Sequence, residues 1–395
     1  MNEAELTDIK ADNVLRPAVS FPEASEGLSV NDGVQLRHAD AFSGMPTAMG
    51  ADMDKLAEVS GAEQAADTVR AAAGNQNGVV LLTYDYPADK SAIASLKLYA
   101  EEGSVLTAAI LLRSNGAQDV LSAQQIKVYA ERGAKVRIYL AQMLDESSVC
   151  IGDVGGYCED DASVELIRME LGAGKLYAGA EMDLAGARSS FESHVGYRAK
   201  DKQRMDMTYT ARHKGKKTQS LMTASGVLED GSFKLFRGTI DLQNGCAGAK
   251  GTESEDVLML GDNVVNQTIP LILCGEEDVE GNHGASIGRL DESVLFYLNT
   301  RGLSKEQAEQ LIARAKLDAI CNQIPVAAVR DEVQTFLGGD SDADGEAEAG
   351  DACGIGSAEC GCKADGKAAD AQTGTGSSGA QAAHAGADGA DSSAR

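Results

Sequence analysis

Between Val79 and Cys274, short strand-forming runs separated by Gly, Asp or Asn recur roughly every ten to fifteen residues. No long helical segment intervenes. The runs VVLLTYDY, VLTAAILL, KVRIYLAQ, SVELIRMEL, KLYAGAEMDL, RMDMTYTARH, TQSLMTASG and SFKLFRGTIDL are bounded by turn-forming residues. A doubly wound α/β fold needs a helix between successive parallel strands, so this spacing predicts a solenoid or a sandwich. No fixed period can be read from it. Alternation in RMDMTYTA puts Met205, Met207 and Tyr209 on one face, as a half-buried strand requires.

The pattern changes beyond residue 290. Asp291 can cap a short helix through VLFYLNTR that stops at Gly302, and Ser304 with Gln307 forms a capping-box signature for the next helix. In that helix Ala308, Leu311, Ile312, Ala315 and Ala319 fall at helical spacing and predict one apolar stripe. Pro325 ends it, and Val326 to Leu337 reads as a last helix before Gly338. Upstream, Met53 to Ala73 is Ala-rich and predicts a helix. From Asp340 onward Ile355 is the only large apolar side chain, which predicts a disordered tail. The expected organisation is a partly helical region (1–78), a β core (79–290), a small helical domain (291–338) and a low-complexity tail carrying cysteines (339–395).

A chain of 395 residues with 43% hydrophobic content can bury a sizeable core, and a net charge of −26 repels phosphate backbones. Nucleic acid is therefore not an expected partner. The sequence has no apolar run of about 18 residues, and MNEAELTDIKADNV carries acids where a signal peptide needs a basic and then an apolar region. A cytoplasmic protein without a membrane partner is expected. The eight cysteines are scattered, which favours reduced thiols over a disulfide framework. KGKKT at Lys214–Thr218 lacks the upstream glycine of a phosphate loop. Neither a dinucleotide fingerprint, nor HExxH, nor a nucleophile elbow is expected to operate, so chemistry must come from residues the fold assembles or from a partner.

The segment LILCGEEDVEGNHGASIGRLDESVLFYLNTRGLSKEQAEQLI, from Leu271 to Ile312, resembles the C-terminal core of the SufB/SufD family of iron–sulfur cluster assembly proteins. Its hallmark pieces are NHGASIG at Asn282–Gly288, LFYLNTRGL at Leu295–Leu303, and the capped helix that follows. The resemblance implies a mainly β fold, a right-handed parallel β-helix followed by a helical domain that docks a SufC-type ABC ATPase. It also implies a complex with a SufB-like paralogue, sulfur supplied by a cysteine desulfurase system, and an iron–sulfur cluster held transiently and shared with SufB. ATP hydrolysis would belong to SufC, so this chain is expected to be a scaffold and not an enzyme.

Where SufB has its cluster-forming cysteine this chain has Glu255, and where SufB has a glutamate after the motif histidine it has Gly284. Both differences favour a SufD-like role, in which His283 is the candidate iron or cluster ligand at the SufB interface. Gly281 stands where many SufD proteins have cysteine. As an imidazole, His283 suits iron, while Cys246 and Cys274 read as small hydrophobes first and sulfur ligands second. In the tail, Cys360 and Cys362 are close enough to share one soft metal. The basic run Arg198 to Lys217 is either a solvated face or a contact for an acidic partner or a flavin phosphate. The alternatives are a SufB-like homodimeric scaffold working with SufC alone and a β-solenoid enzyme acting on acidic polysaccharides.

Overall fold

The computed structural model describes residues 18–20, 27–31, 34–60, 64–86, 91–114 and 116–343. The expected disordered tail beyond 343, with Cys353, Cys360 and Cys362, lies outside the described residues.

The strands coil into a parallel β-solenoid of about eight turns, with 52% of the chain in strands. Successive strands alternate between two sheets. One sheet stacks β4 (Gly78–Tyr86), β6 (Val105–Ser114), β8 (Lys135–Met143), β10 (Ser163–Glu170), β12 (Ser190–Ala199), β14 (Gln219–Leu228), β16 (Ala249–Met259) and β18 (Val279–Gly288). The other stacks β3 (Gln64–Ala71), β5 (Ala92–Ala100), β7 (Leu121–Ala130), β9 (Val149–Cys158), β11 (Lys175–Leu184), β13 (Arg204–His213), β15 (Phe233–Leu242) and β17 (Val265–Cys274). Short strands β1 (Ala18–Ser20) and β2 (Leu28–Val30) pair antiparallel with β4 and β3 at the N-terminal end.

Inward-facing side chains of both sheets fill the lumen. Val164, Leu166, Leu176, Met182, Phe191, Met205, Met207, Tyr209 and Phe236 belong to one continuous buried cluster there. Burying each large aliphatic or aromatic side chain contributes about 1.5–3 kcal/mol, so this stack dominates the stability. The outward face of the first sheet is buried too: Leu111, Tyr139, Ile167 and Met169 pack against Leu317, Ile320, Val329 and Val333 of the C-terminal helices. Burial on both faces is why β6 reads as an apolar run, VLTAAILL, broken only by the buried Thr107.

A strap from residue 34 to 60 covers the outward face of the second sheet. Phe42 and Met45 sit over Tyr99 and Tyr129, and Met53 and Leu56 sit over Ile93 and Ile151. Tyr99, Tyr129 and Tyr157 occupy equivalent positions on three successive turns and stack, with centroids 5.7 and 5.3 Å apart. Asp153, fully buried, anchors the strap by accepting from Thr47 Oγ1 (2.6 Å), Met49 N (2.9 Å) and Ala51 N (2.8 Å). Gly155 is needed beside it, since a Cβ there would come 2.1 Å from the Pro46 carbonyl oxygen.

Three expectations change. The Ala-rich helix expected over Met53–Ala73 stops at Ser60 as α1 (Met53–Ser60), and Gln64–Ala71 is the parallel strand β3. Ala65, Asp67, Val69 and Ala71 alternate into the interior, and pairing with β5 overrides alanine's helical preference. Downstream, α2 (Glu292–Thr300) and α3 (Lys305–Cys321) are capped by Asp291 and by the Ser304–Gln307 box as expected. The buried face of α3 is rotated, however. Ala308, Ala313, Leu317, Ile320 and Cys321 are buried, while Leu311, Ala315 and Ala319 are exposed, because the helix lies against the first sheet. The last helix, α4 (Ala327–Ala343), runs past Gly338.

Candidate functional site

The C-terminal mouth of the solenoid is formed by β17 and β18, each the last strand of its sheet. Ala249 and Val257 of β16 face the lumen, and the register pairs them with Val279 and Ile287 of β18. By strand alternation, Gly281, His283 and Ala285 therefore face the lumen. His283 stands directly over Glu253, its register partner 30 residues upstream. Its Nδ1 is hydrogen-bonded to Glu253 Oε2. Glu253 is 2% exposed and the His283 side chain 29%, so the carboxylate forms the floor and the imidazole the rim. Burial pushes the Glu253 carboxyl above its usual range, and the contact with His283 works in the opposite direction. The second oxygen, Oε1, has no hydrogen-bond partner among the described residues.

Beneath this pair lies a buried polar group. Lys234 donates to Glu255, which also accepts from Thr268 Oγ1 at 2.5 Å and from the Tyr197 hydroxyl at 3.1 Å. The Lys234 ammonium sits 5.7 Å from the Phe236 ring centroid. Glu255, at the position compared with a cluster-forming cysteine, is thus consumed by lumenal contacts. Gly284 faces outward, and a Cβ there would meet nothing within 4 Å. A Cβ on Gly281 would come 3.0 Å from Ile272 Cγ2, so glycine there lets β18 close over β17. Residues 284–288 read GASIG and fit GxSxG, yet all five lie within β18, without the strand-to-helix turn of a nucleophile elbow.

Cys246 is buried in the lumenal cluster, and burial raises its thiol pKa. Cys274 ends β17, exposed, and donates to the Glu276 carbonyl at 3.2 Å. In the acidic turn, the Glu276 carboxylate is held below its usual range by the backbone amides of Gly245 and Glu277, and Glu280 pairs with Lys250. Among the described residues no group of three or more His, Cys, Asp and Glu side chains could hold a metal ion. Cys360 and Cys362 lie outside the described residues.

Much of the basic run is matched by acids on neighbouring turns. Arg198 pairs with Glu229, Arg212 with Glu181, Lys214 with Asp183 and Lys200 with Glu146. Arg204 stacks on Phe233, 4.2 Å from its centroid.

Exposed apolar groups gather in two places. Outward-facing Ile269 (51% exposed), Leu271 and Leu273 lie on β17 at the mouth, and Phe296 (71%), Tyr297, Val294 and Leu311 lie on α2 and α3. Glu253 was not legible from the sequence. Its signal is its register with the NHGASIG histidine, which needs turn lengths the sequence does not print. No helix among the described residues is long and apolar enough to cross a membrane.

The SufBD core domain of the SUF iron–sulfur cluster assembly system matches residues 85–316. The chain is similar to the iron–sulfur cluster assembly protein SufD of Bacillus subtilis, 31% identical over 125 residues, covering 32% of this chain and 29% of that protein. It is also similar to a chloroplastic SufBD family protein of Arabidopsis thaliana, 27% identical over 171 residues, with 43% and 31% of the two chains covered. A SufBD family protein of Synechocystis is 24% identical over 172 residues, with 43% and 36% covered. The matches span about a third of the length of each of these relatives. The family domain covers more than half of the chain and takes in the solenoid's mouth, the His283–Glu253 pair, α2 and the first part of α3, and the chain belongs to the SufBD family of iron–sulfur cluster assembly proteins.

Proposed function

We infer that the chain is a SufD-like scaffold subunit of a cytoplasmic SUF complex. It pairs through the open mouth of its solenoid with a SufB-like paralogue and presents α2 and α3 to a SufC-type ATPase. The observation that carries this is the unfinished last turn. Among the described residues β17 and β18 have a strand partner on one side only, and they add exposed Ile269, Leu271 and Leu273, a surface that invites pairing by a second chain. His283 stands at that mouth, where its imidazole is one ligand toward iron or a nascent cluster and the paralogue supplies the rest. The cluster is cargo here. Glu255, locked on Lys234, argues against this chain supplying the cluster-forming side chain at that position. ATP-driven closure of SufC would shift the two scaffolds relative to one another and open their shared ligands to iron and sulfide.

The test is co-expression with the SufB-like and SufC-like partners, affinity purification, and an anaerobic absorbance spectrum. The expected result is a stable complex whose iron–sulfur absorbance requires the paralogue and is lost in His283→Ala. A chain that ignores both partners overturns the scaffold reading. A cluster formed with the ATPase alone replaces it with the SufB-like homodimeric role.

A further inference from the structure

We propose that Glu253 is a positioning residue for His283: its buried carboxylate accepts a hydrogen bond from the Nδ1–H of the imidazole and leaves Nε2 as the lone-pair donor toward a borderline divalent metal ion. This deepens the reading of His283 as a ligand and rests on it.

Three observations lead there. First, the pair is built into the sheet, since Glu253 and His283 are register partners on adjacent turns and share the lumenal face. Second, Glu253 has little freedom to swing away. It is 2% exposed, and its stem packs over Gly238, where a Cβ would come 2.7 Å from Glu253 Cγ. Third, among the described residues the ring makes no hydrogen bond besides the one at Nδ1, and part of it reaches solvent. The two ring nitrogens are chemically distinct, and a hydrogen bond at one decides what the other can do. A carboxylate can only accept, so it selects the tautomer protonated on Nδ1. The opposite nitrogen is then unprotonated and faces away from the carboxylate. This is how a carboxylate behind a ligating histidine orients the ring and raises its basicity, and losing such a partner typically costs about 10- to 100-fold in metal affinity. Neutral imidazole suits Fe(II) and its spectroscopic surrogate Co(II). The orphaned Glu253 Oε1 is a spare acceptor in the same pocket.

The first measurement needs no partner. The full chain, labelled with 15N-histidine, is studied by long-range nitrogen–proton correlation at neutral pH, with the His283 ring assigned by its disappearance in His283→Gln. The wild type is expected to show Nδ1 protonated and Nε2 bare. Glu253→Gln, whose amide oxygen can still accept, should keep that tautomer, whereas Glu253→Leu should lose the preference. A wild-type ring protonated on Nε2, or a Glu253→Leu ring identical to wild type, overturns the proposal. The wild-type spectrum decides even if the leucine variant fails to fold.

The second measurement titrates Co(II) into the assembled complex and follows the His283-dependent absorbance, defined by subtraction of His283→Ala. Glu253→Leu should weaken it about 10- to 100-fold and Glu253→Gln only slightly. Equal affinity in all three forms, or no His283-dependent cobalt in the wild type, overturns the proposal. Failure of the scaffold reading shows separately, as a complex that never assembles while the tautomer result stands.

Discussion

Lys234 and Glu255 meet inside the lumen with neither side chain exposed, the ammonium donating to the carboxylate Oε1. Burial pulls the Lys234 ammonium below its ordinary pKa, and Glu255 works in the opposite direction. The two charges are tolerated inside the lumen because Thr268 and Tyr197 add hydrogen bonds to the same carboxylate.

Removing one partner should therefore cost far more than removing both. Lys234→Met leaves a carboxylate buried without its cation and is expected to destabilise by about 3–5 kcal/mol. Combining it with Glu255→Leu should recover a large part of that loss, though not all, since Tyr197 and Thr268 then lack their acceptor. Urea midpoints of the two single variants and the double variant close the cycle. If the effects simply add, the two groups are not coupled.

The strap depends on one carboxylate in a different way. Asp153 holds a hydroxyl and two backbone amides on residues 47–51, more than 100 positions away in sequence. Asp153→Ala should free those amides, costing about 2–4 kcal/mol by loss of charge-assisted bonds, and should expose Tyr99 and Tyr129. Hydrogen exchange would show protection lost at Met49 and Ala51, while Val164 and Leu166 keep theirs. Uniform loss across the solenoid would mean that Asp153 supports the whole stack.

His213 makes stability depend on pH. It is buried, with Nδ1 and Nε2 each 2.8 Å from a hydroxyl, of Thr218 and Ser220 respectively, and burial lowers its pKa from 6.5 to about 4. The folded ring stays neutral where the unfolded chain would take up a proton. Its contribution is thus complete above pH 6.5 and is lost as pH falls toward 4, by about 3 kcal/mol. Unfolding measured at pH 7.5 and pH 4.5 should show this loss in the wild type and a smaller one in His213→Gln. Equal losses in both would place the titration elsewhere.

How far the sequence foretells this protein follows from what each signal requires. Capping by Asp291 and Ser304 is local chemistry and was legible, as were strands such as Arg204–His213, whose alternation is complete within ten residues. Strand β9, VCIGDVGGYC, was not, because Gly152 and Gly155 serve close approaches by Arg168 and the strap. The stacking of turns was hidden as well. Ion-paired neighbours on adjacent turns are 27 residues apart at Asp161–Arg188 and 31 at Arg198–Glu229, so no constant period exists to read. For the same reason His283 could be singled out from its motif while Glu253, placed beneath it by register alone, could not. The face of α3 was misjudged because a stripe Leu311–Ala315–Ala319 and a stripe Ala313–Leu317–Ile320 are both helical, and only the sheet chooses between them.

That choice leaves Leu311 outside, and with Phe296 and Tyr297 it gives a testable contact surface. Large apolar side chains this exposed contribute little to the fold of their own chain and are a usual mark of a partner's footprint. The double variant Phe296→Ser/Leu311→Ser should change folding stability by less than about 1 kcal/mol. Co-purification with the SufC-type ATPase should nevertheless drop at least about tenfold, as loss of aromatic anchors does. Pairing with the SufB-like chain, which the opposite signal from Ile269→Ser would report, should be untouched. If the helix variant keeps the ATPase and loses the paralogue, α2 and α3 belong to the scaffold interface and the two docking surfaces must be exchanged.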